Sequence, residues 1–246
     1  MATAPTAHVM ISTPSYTGDV CCDYAMSLAV ASAHCVLRGI WIEPRMAPGF
    51  SLVEYARNWL VAEFLANPKF THLFWVDSDL FFPPDAVAKL VLRKKDVICG
   101  VYVTKHDTKP IFPYTALGPA VDGLQLAERV PGGFLCMSRA AVEKVVESCE
   151  WHEIDHNGEK RQSPRFFDLL MKDGKLHGED FIACARLRAA GFDIYVETDL
   201  TFKHYGRKAW IGNLATTLAD EAAEGYIGQG NKKHFEKNAR AEMPTE

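Results

Sequence analysis

The segment Thr71-His-Leu-Phe-Trp-Val-Asp-Ser-Asp79 constrains the fold more than any other part of the chain. His72 to Val76 is a continuous, largely apolar run that stops abruptly in charge. Such a strand is covered on both faces, as strands inside parallel sheets are. It stands third in an alternating series. His8–Thr13 reads as a buried strand running into a Pro-Ser-Tyr turn, Val20–Leu37 as a helix with Gly39 beyond it, and Ile40–Glu43 as a second strand before a loop at Pro44–Gly49. Ser51 is placed to cap the next helix with Glu54 completing a capping box, and Leu52, Tyr55, Trp59, Ala62 and Phe64 give its apolar face. A helix from Pro84 to Arg93 and a strand from Asp96 to Val101 follow. This alternation predicts an α/β fold with an open, mostly parallel sheet flanked by helices.

The second part is less regular. Ile111–Thr115, Leu124–Val130 and Phe134–Met137 read as short strands among Gly and Pro, and Arg139–Ser148 as a helix. Residues 150–176 are polar and read as loop with one helical turn. Gly178-Glu179-Asp180 opens a helix closed by Gly191, followed by strands at Asp193–Glu197 and Leu200–His204. The Ala- and Glu-rich C-terminal stretch reads as helical. No repeat, linker or boundary divides the 246 residues.

Charge and cysteine use narrow the function. A net charge of −4 lacks the basic surplus with which proteins hold duplex DNA by its phosphates. The basic cluster Lys232, Lys233, Lys237 and Arg240 is interrupted by Glu236 and reads as a solvated helix face. No apolar run approaches the ~20 residues of a membrane helix, and MATAPTAHVM lacks the pattern of a signal peptide. Seven scattered cysteines without a C-x-x-C pair suggest reduced thiols and a cytoplasmic protein. The adjacent Cys21 and Cys22 read as packing residues.

Four groups of residues carry the chemistry. Asp77 and Asp79 sit at the carboxyl end of a strand, where open α/β sheets bind ligands, and hard carboxylate oxygens suit Mg²⁺ or Mn²⁺. The same Asp-x-Asp also fits a local turn before Pro84. Glu179 and Asp180 gain from the helix dipole they begin, yet a carboxylate there can serve as a general base beside His177. His204 ends a strand before Gly206, and Arg57 and Asn58 lie on the helix preceding the Asp-x-Asp strand. A helix arginine is ordinarily a solvated one. Gly132 and Gly133 either let backbone approach a ligand or form a turn.

The order of these pieces resembles a GT-A glycosyltransferase: STPSY, ARN, LFWVDSD, PGGFLCMSR, HGEDFIACARLRAAGFDI and KHYG, over residues 8–206. The resemblance implies one domain, with a nucleotide-sugar-binding half at about 8–104, a smaller mixed acceptor and catalytic half at about 105–206, and a helical extension at 207–246. It implies a nucleotide-diphosphate sugar as donor, a UDP-sugar first, held with Mn²⁺ or Mg²⁺. Thr13, Pro14 and Tyr16 would lie by the base, Arg57 and Ser78 by the nucleotide or diphosphate, and Gly132 and Gly133 by the sugar. Asp77 would touch ribose or a metal-bound water, and Asp79 and His204 would ligate the metal. Asp180, or less readily Glu179, matches the base of inverting members; a retaining reaction uses the same metal motif. The acceptor is left open: a glycan, a protein, a small molecule, or a hydroxymethylated base in viral DNA. Oligomeric state is not indicated.

Two other readings compete. A haloacid-dehalogenase-type phosphatase would use Asp77 as nucleophile and Asp79 as acid. That family's motif continues with Thr or Val where this chain has Phe81, and it lies near the first strand. A non-catalytic nucleotide-sugar-binding module would keep the fold without turnover.

Overall fold

His72–Trp75 forms a strand because every residue of it has somewhere apolar to go. Leu73 and Trp75 pack with Trp59, Leu60 and Phe64 on one face of a sheet, and Phe74 and Val76 with Tyr24, Ala31, Val87 and Leu90 on the other. The computed structural model describes residues 6–107, 110–172, 174–206 and 208–223. In chain order the first part comprises β1 (Ala7–Ser15), α1 (Cys22–Val36), β2 (Ile40–Pro48), α2 (Val53–Ala66), β3 (His72–Trp75), β4 (Leu80–Phe81), α3 (Ala86–Leu92) and β5 (Val97–Gly100). Then come β6 (Thr115–Ala116), β7 (Leu124–Arg129), a 3-10 turn at Gly132–Phe134, β8 (Leu135–Ser138) and α4 (Arg139–Val146). The rest is β9 (Trp151–His156), β10 (Glu159–Pro164), β11 (Leu170–Lys172), β12 (Lys175–His177), α5 (Glu179–Ala189), β13 (Ile194–Glu197), β14 (Thr201–Tyr205), β15 (Ala209–Asn213) and α6 (Leu214–Ala223).

Eight strands form the central sheet in the order β2-β1-β3-β8-β5-β13-β7-β6. Only β7 and β8 run against the others, so the sheet is open and mostly parallel, with helices on both faces. Strands from the second part are interleaved: β8 lies between β3 and β5, so both parts share one sheet. A smaller sheet, β15-β14-β4, ties the far end of the chain to the residues after Asp79. His204 pairs with Leu80 and Lys203 with Phe81, and the Tyr205 N–H donates to the Asp79 carbonyl at 2.8 Å. That register carries His204 to the end of β3.

Several local expectations are corrected. Residues 150–176 contain two antiparallel hairpins, β9–β10 and β11–β12. Asn157 and Gly158, with φ of 53° and 82°, make the two-residue turn of the first, which is the Asn-Gly preference of hairpin turns. Ile111–Thr115 is not a strand. Pro113 has no N–H for a ladder, and the ladder begins only at Thr115, although Ile111, Phe112 and Tyr114 are buried. The second strand runs on through the expected loop to Pro48, held by pairing with β1.

Ser51 does not cap α2, whose N-cap is Leu52 without a side-chain hydrogen bond. Leu52 and Tyr55 are exposed, and the buried side of α2 holds Arg57 and Asn58 beside Trp59, Ala62 and Phe64. Cys22 is exposed, while Cys21 caps α1 by accepting the Tyr24 N–H at 3.3 Å. The basic cluster Lys232, Lys233, Lys237 and Arg240 lies outside the described residues. No helix among the described residues is long and apolar enough to cross a membrane.

Candidate functional site

At the carboxyl ends of β1, β2 and β3 a cavity of about 360 Å³ opens between the start of α2 and the start of α5. Its apolar wall is Ala47, Phe50, Val53 and Ala56; its polar wall is Arg57, Asp77, Ser78, Asp79, Glu179 and His204; Pro14, Ser15 and Tyr16 border it. Tyr16 stands 72% exposed at the rim. The structure thus brings together Pro14, Tyr16, Arg57, Asp77, Ser78, Asp79, Glu179 and His204. Thr13 is buried below the cavity, against the Tyr24 hydroxyl at 2.6 Å.

Arg57 is the fixed point of the site. Only 4% of its side chain is exposed, against the expectation of a solvated helix residue. The guanidinium lies between the Trp75 and Phe167 rings, 5.1 and 5.4 Å from their centroids. Asn58 holds Phe167 there by both amide atoms, accepting its N–H at 2.8 Å and donating to its carbonyl at 2.9 Å. Arg57 donates to Gly132 O and Asp77 Oδ1, each at 3.1 Å, and its Nε stands 3.6 Å from Glu179. Tyr102 donates to the other Asp77 oxygen at 2.9 Å. Burial pushes the Tyr102 hydroxyl well up, and the Asp77 charge adds to it, so it stays a donor.

Gly132 and Gly133 sit behind this pair and do not line the cavity. A Cβ on Gly133 would stand 2.0 Å from Asp77 Oδ2 and 2.2 Å from the Tyr102 oxygen, and one on Gly132 would be 3.2 Å from the Arg57 guanidinium. The glycines make room for protein side chains.

Asp79 faces a different set. Its Oδ1 is 3.6 Å from His204 Nε2 and its Oδ2 is 2.5 Å from Lys105 Nζ. Burial pushes the Asp79 carboxyl up, but the contacts with His204 and Lys105 outweigh it and leave it below its ordinary value. His204 Nδ1 is 2.8 Å from the Val103 carbonyl. An N–H at Nδ1 satisfies that carbonyl and leaves Nε2 directed at Asp79, an orientation in which the ring could share a metal with that carboxylate. Among the described residues no group of three His, Cys, Asp or Glu side chains comes together as a ready-made metal cage. A carboxylate oxygen and an imidazole nitrogen do fit an Mg²⁺ or Mn²⁺ ion whose other sites are filled by phosphate oxygens and water.

Glu179 and Asp180 point apart. Glu179 lines the first cavity, whereas Asp180 lines a second one of about 580 Å³ with Tyr114, Arg129, His177 and Phe181. The Arg129 guanidinium lies 4.8 Å from the Phe181 ring, and the His177 ring 4.5 Å from it. Asp180 Oδ1 accepts the Phe181 N–H at 2.7 Å. Burial pushes the Glu179 carboxyl above its ordinary value; Arg57 pulls it back and Asp180 adds to the rise. A raised carboxyl holds its proton more tightly in the folded chain, so stability falls as pH rises through that interval. Glu179→Gln is therefore expected to raise Tm at pH 7.5, with the difference vanishing below about pH 4. Melting both proteins at the two pH values checks this, and a variant less stable than wild type at pH 7.5 contradicts it.

Tyr102, Lys105, Phe50 and Phe167 belong to the site but were not singled out in the sequence. Tyr102 and Lys105 had one available marker, their place just past the end of β5.

No family model and no curated protein matches the chain. Solved structures similar to it include A197 from STIV, which aligns with a TM-score of 0.49 at 15% identity, covering 81% of this chain and 86% of that one. Apo UDP-glucose pyrophosphorylase aligns with a TM-score of 0.40 at 11% identity, covering 94% and 82%. A glycosyltransferase involved in the glycosylation of the major capsid of PBCV-1 aligns with a TM-score of 0.33 at 12% identity, over 55% of this chain and 62% of that one.

Proposed function

We propose that the chain is a GT-A-type glycosyltransferase that moves a sugar from a nucleotide-diphosphate donor, a UDP-sugar first, to an acceptor hydroxyl. One observation carries this reading. Asp79, in the turn between β3 and β4, and His204, on β14 much later in the chain, face each other in the cavity that also holds the Arg57–Asp77 pair.

The donor's nucleotide enters between Tyr16 and the apolar wall of Phe50 and Ala47, with its diphosphate toward Arg57 and Asp79. Asp79 and His204 would hold an Mn²⁺ or Mg²⁺ ion, which would supply Lewis-acid neutralisation of the diphosphate. Arg57 cannot move away from its two rings, so its charge is already in place as the diphosphate gains negative charge. The acceptor enters through the second cavity. Asp180 takes the proton from its hydroxyl while that oxygen attacks the anomeric carbon. A new carbon–oxygen bond forms as the bond to the phosphate oxygen breaks, and the nucleoside diphosphate leaves with the electron pair. Attack from the side opposite the leaving group inverts the anomeric centre.

A phosphatase needs Asp77 free as nucleophile, and here Arg57 and Tyr102 take both of its oxygens. The non-catalytic module is separated by turnover. Asp180→Asn is expected to slow nucleoside-diphosphate release from a UDP-sugar about 100-fold, with UDP affinity unchanged. Asp79→Ala is expected to abolish the Mn²⁺-dependent part of UDP binding. Full turnover in Asp180→Asn removes that residue as base, and Mn²⁺-dependent binding retained in Asp79→Ala removes the metal assignment.

A further inference from the structure

Asp79 already carries a cation supplied by the chain. Lys105 Nζ lies 2.5 Å from its Oδ2, on a segment that follows β5 and that the proposed reaction does not use. The main chain on either side is held. The Thr104 N–H donates to Ile111 O at 2.8 Å and the His106 N–H to Thr104 O at 2.9 Å. Asp107 takes Lys208 Nζ at 2.6 Å and Trp210 Nε1 at 3.1 Å, fastening the segment to the start of β15. Gly206 gives the lysine its path, because a Cβ there would stand 3.2 Å from Lys105 Cδ and 3.0 Å from the Trp210 ring. The backbone is thus tied down on both sides, while the lysine side chain is 36% exposed and reaches Asp79 through a rotatable four-carbon stem.

A divalent cation seated between Asp79 Oδ1 and His204 Nε2 would share the Asp79 carboxylate with the Lys105 ammonium on Oδ2. We propose that Lys105 is a resident counter-ion of the cation seat, with which a divalent cation must compete for the charge of Asp79. This rests on the metal seat put forward under the proposed function. A half-exposed lysine–carboxylate pair is worth little in water, so a doubly charged ion can compete with it. The ammonium nevertheless lowers the affinity of the free protein for the cation, both by sharing the carboxylate and by repelling the ion. The seat is thereby biased toward a cation that arrives with additional ligands of its own, as the diphosphate complex does.

The test is the Mn²⁺ affinity of the whole chain without nucleotide, read from the electron paramagnetic resonance of free Mn²⁺. Lys105→Met keeps the stem and removes the charge, and is expected to bind Mn²⁺ about three- to tenfold tighter than wild type. Lys105→Arg is expected to stay within about twofold of wild type, since it keeps the cation. Adding Asp79→Asn to Lys105→Met is expected to remove the gain. Cooperative melting checks each variant, and Lys105→Gln serves if Lys105→Met does not fold. Equal Mn²⁺ affinity in wild type and the charge-removed variant overturns the role of Lys105 and leaves the metal seat standing. No Mn²⁺ binding by either chain overturns both.

Discussion

Arg57→Ala is expected to destabilise the protein by about 3–5 kcal/mol, because breaking a buried ion pair leaves the partner charge uncompensated. A loss of that size lowers the Tm of a chain this long by about 10 °C. Three effects add. The Asp77 carboxylate loses its ion pair, the Gly132 carbonyl loses a charged donor, and the slot between Trp75 and Phe167 is left without its contents. UDP binding is expected to disappear with the guanidinium. The cause is separable by a second change, since Asp77→Asn removes the stranded charge. In a double-mutant cycle it is expected to cost less in the Arg57→Ala background than in wild type. Calorimetric melts of the four proteins decide it. A single variant within about 2 °C of wild type contradicts the buried role of Arg57.

Gly133→Ala is expected to be nearly as severe, at about 3 kcal/mol, the upper range for forcing extra atoms into a packed site. The backbone at Gly133 does not demand glycine; the space does. A methyl group meets Asp77 Oδ2 and the Tyr102 oxygen at once, so both must move. Displacing Asp77 also frees Arg57 from its partner, so UDP affinity is expected to fall with stability. Tyr102→Phe removes one of the two obstructing oxygens and is expected to restore part of the stability lost by Gly133→Ala. Thermal melts with UDP titrations check both statements. A Gly133→Ala protein with wild-type Tm and UDP affinity contradicts the arrangement.

The strand His72–Trp75 and the alternation around it were legible because burial on both faces forces a run of apolar residues. His204 was legible as a strand-end histidine, and its meeting with Asp79 follows from β14 pairing with β4. Arg57 could not be read as buried, since what buries it, Phe167, comes from a distant segment. Lys105 and Tyr102 share that difficulty, because only the sheet order brings the end of β5 beside Asp77 and Asp79. The β9–β10 hairpin was not read: the polar composition around it reads as loop, although Asn157-Gly158 marks its turn. Gly132 and Gly133 were read as a turn or as places where a ligand approaches, and a sequence does not say that Asp77, Tyr102 and Arg57 are what pack against them.

On the proposed function, the cavity at the end of β3 binds a nucleoside diphosphate through a divalent cation. Isothermal titration of UDP, GDP, CDP, TDP and ADP into the protein, each with Mn²⁺, with Mg²⁺ and with EDTA, is the decisive measurement. One nucleotide, UDP first, is expected to bind with Mn²⁺ or Mg²⁺, and EDTA or Asp79→Ala is expected to remove most of that affinity. Binding of none of them under any condition, or binding that EDTA leaves unchanged, would contradict the proposed function.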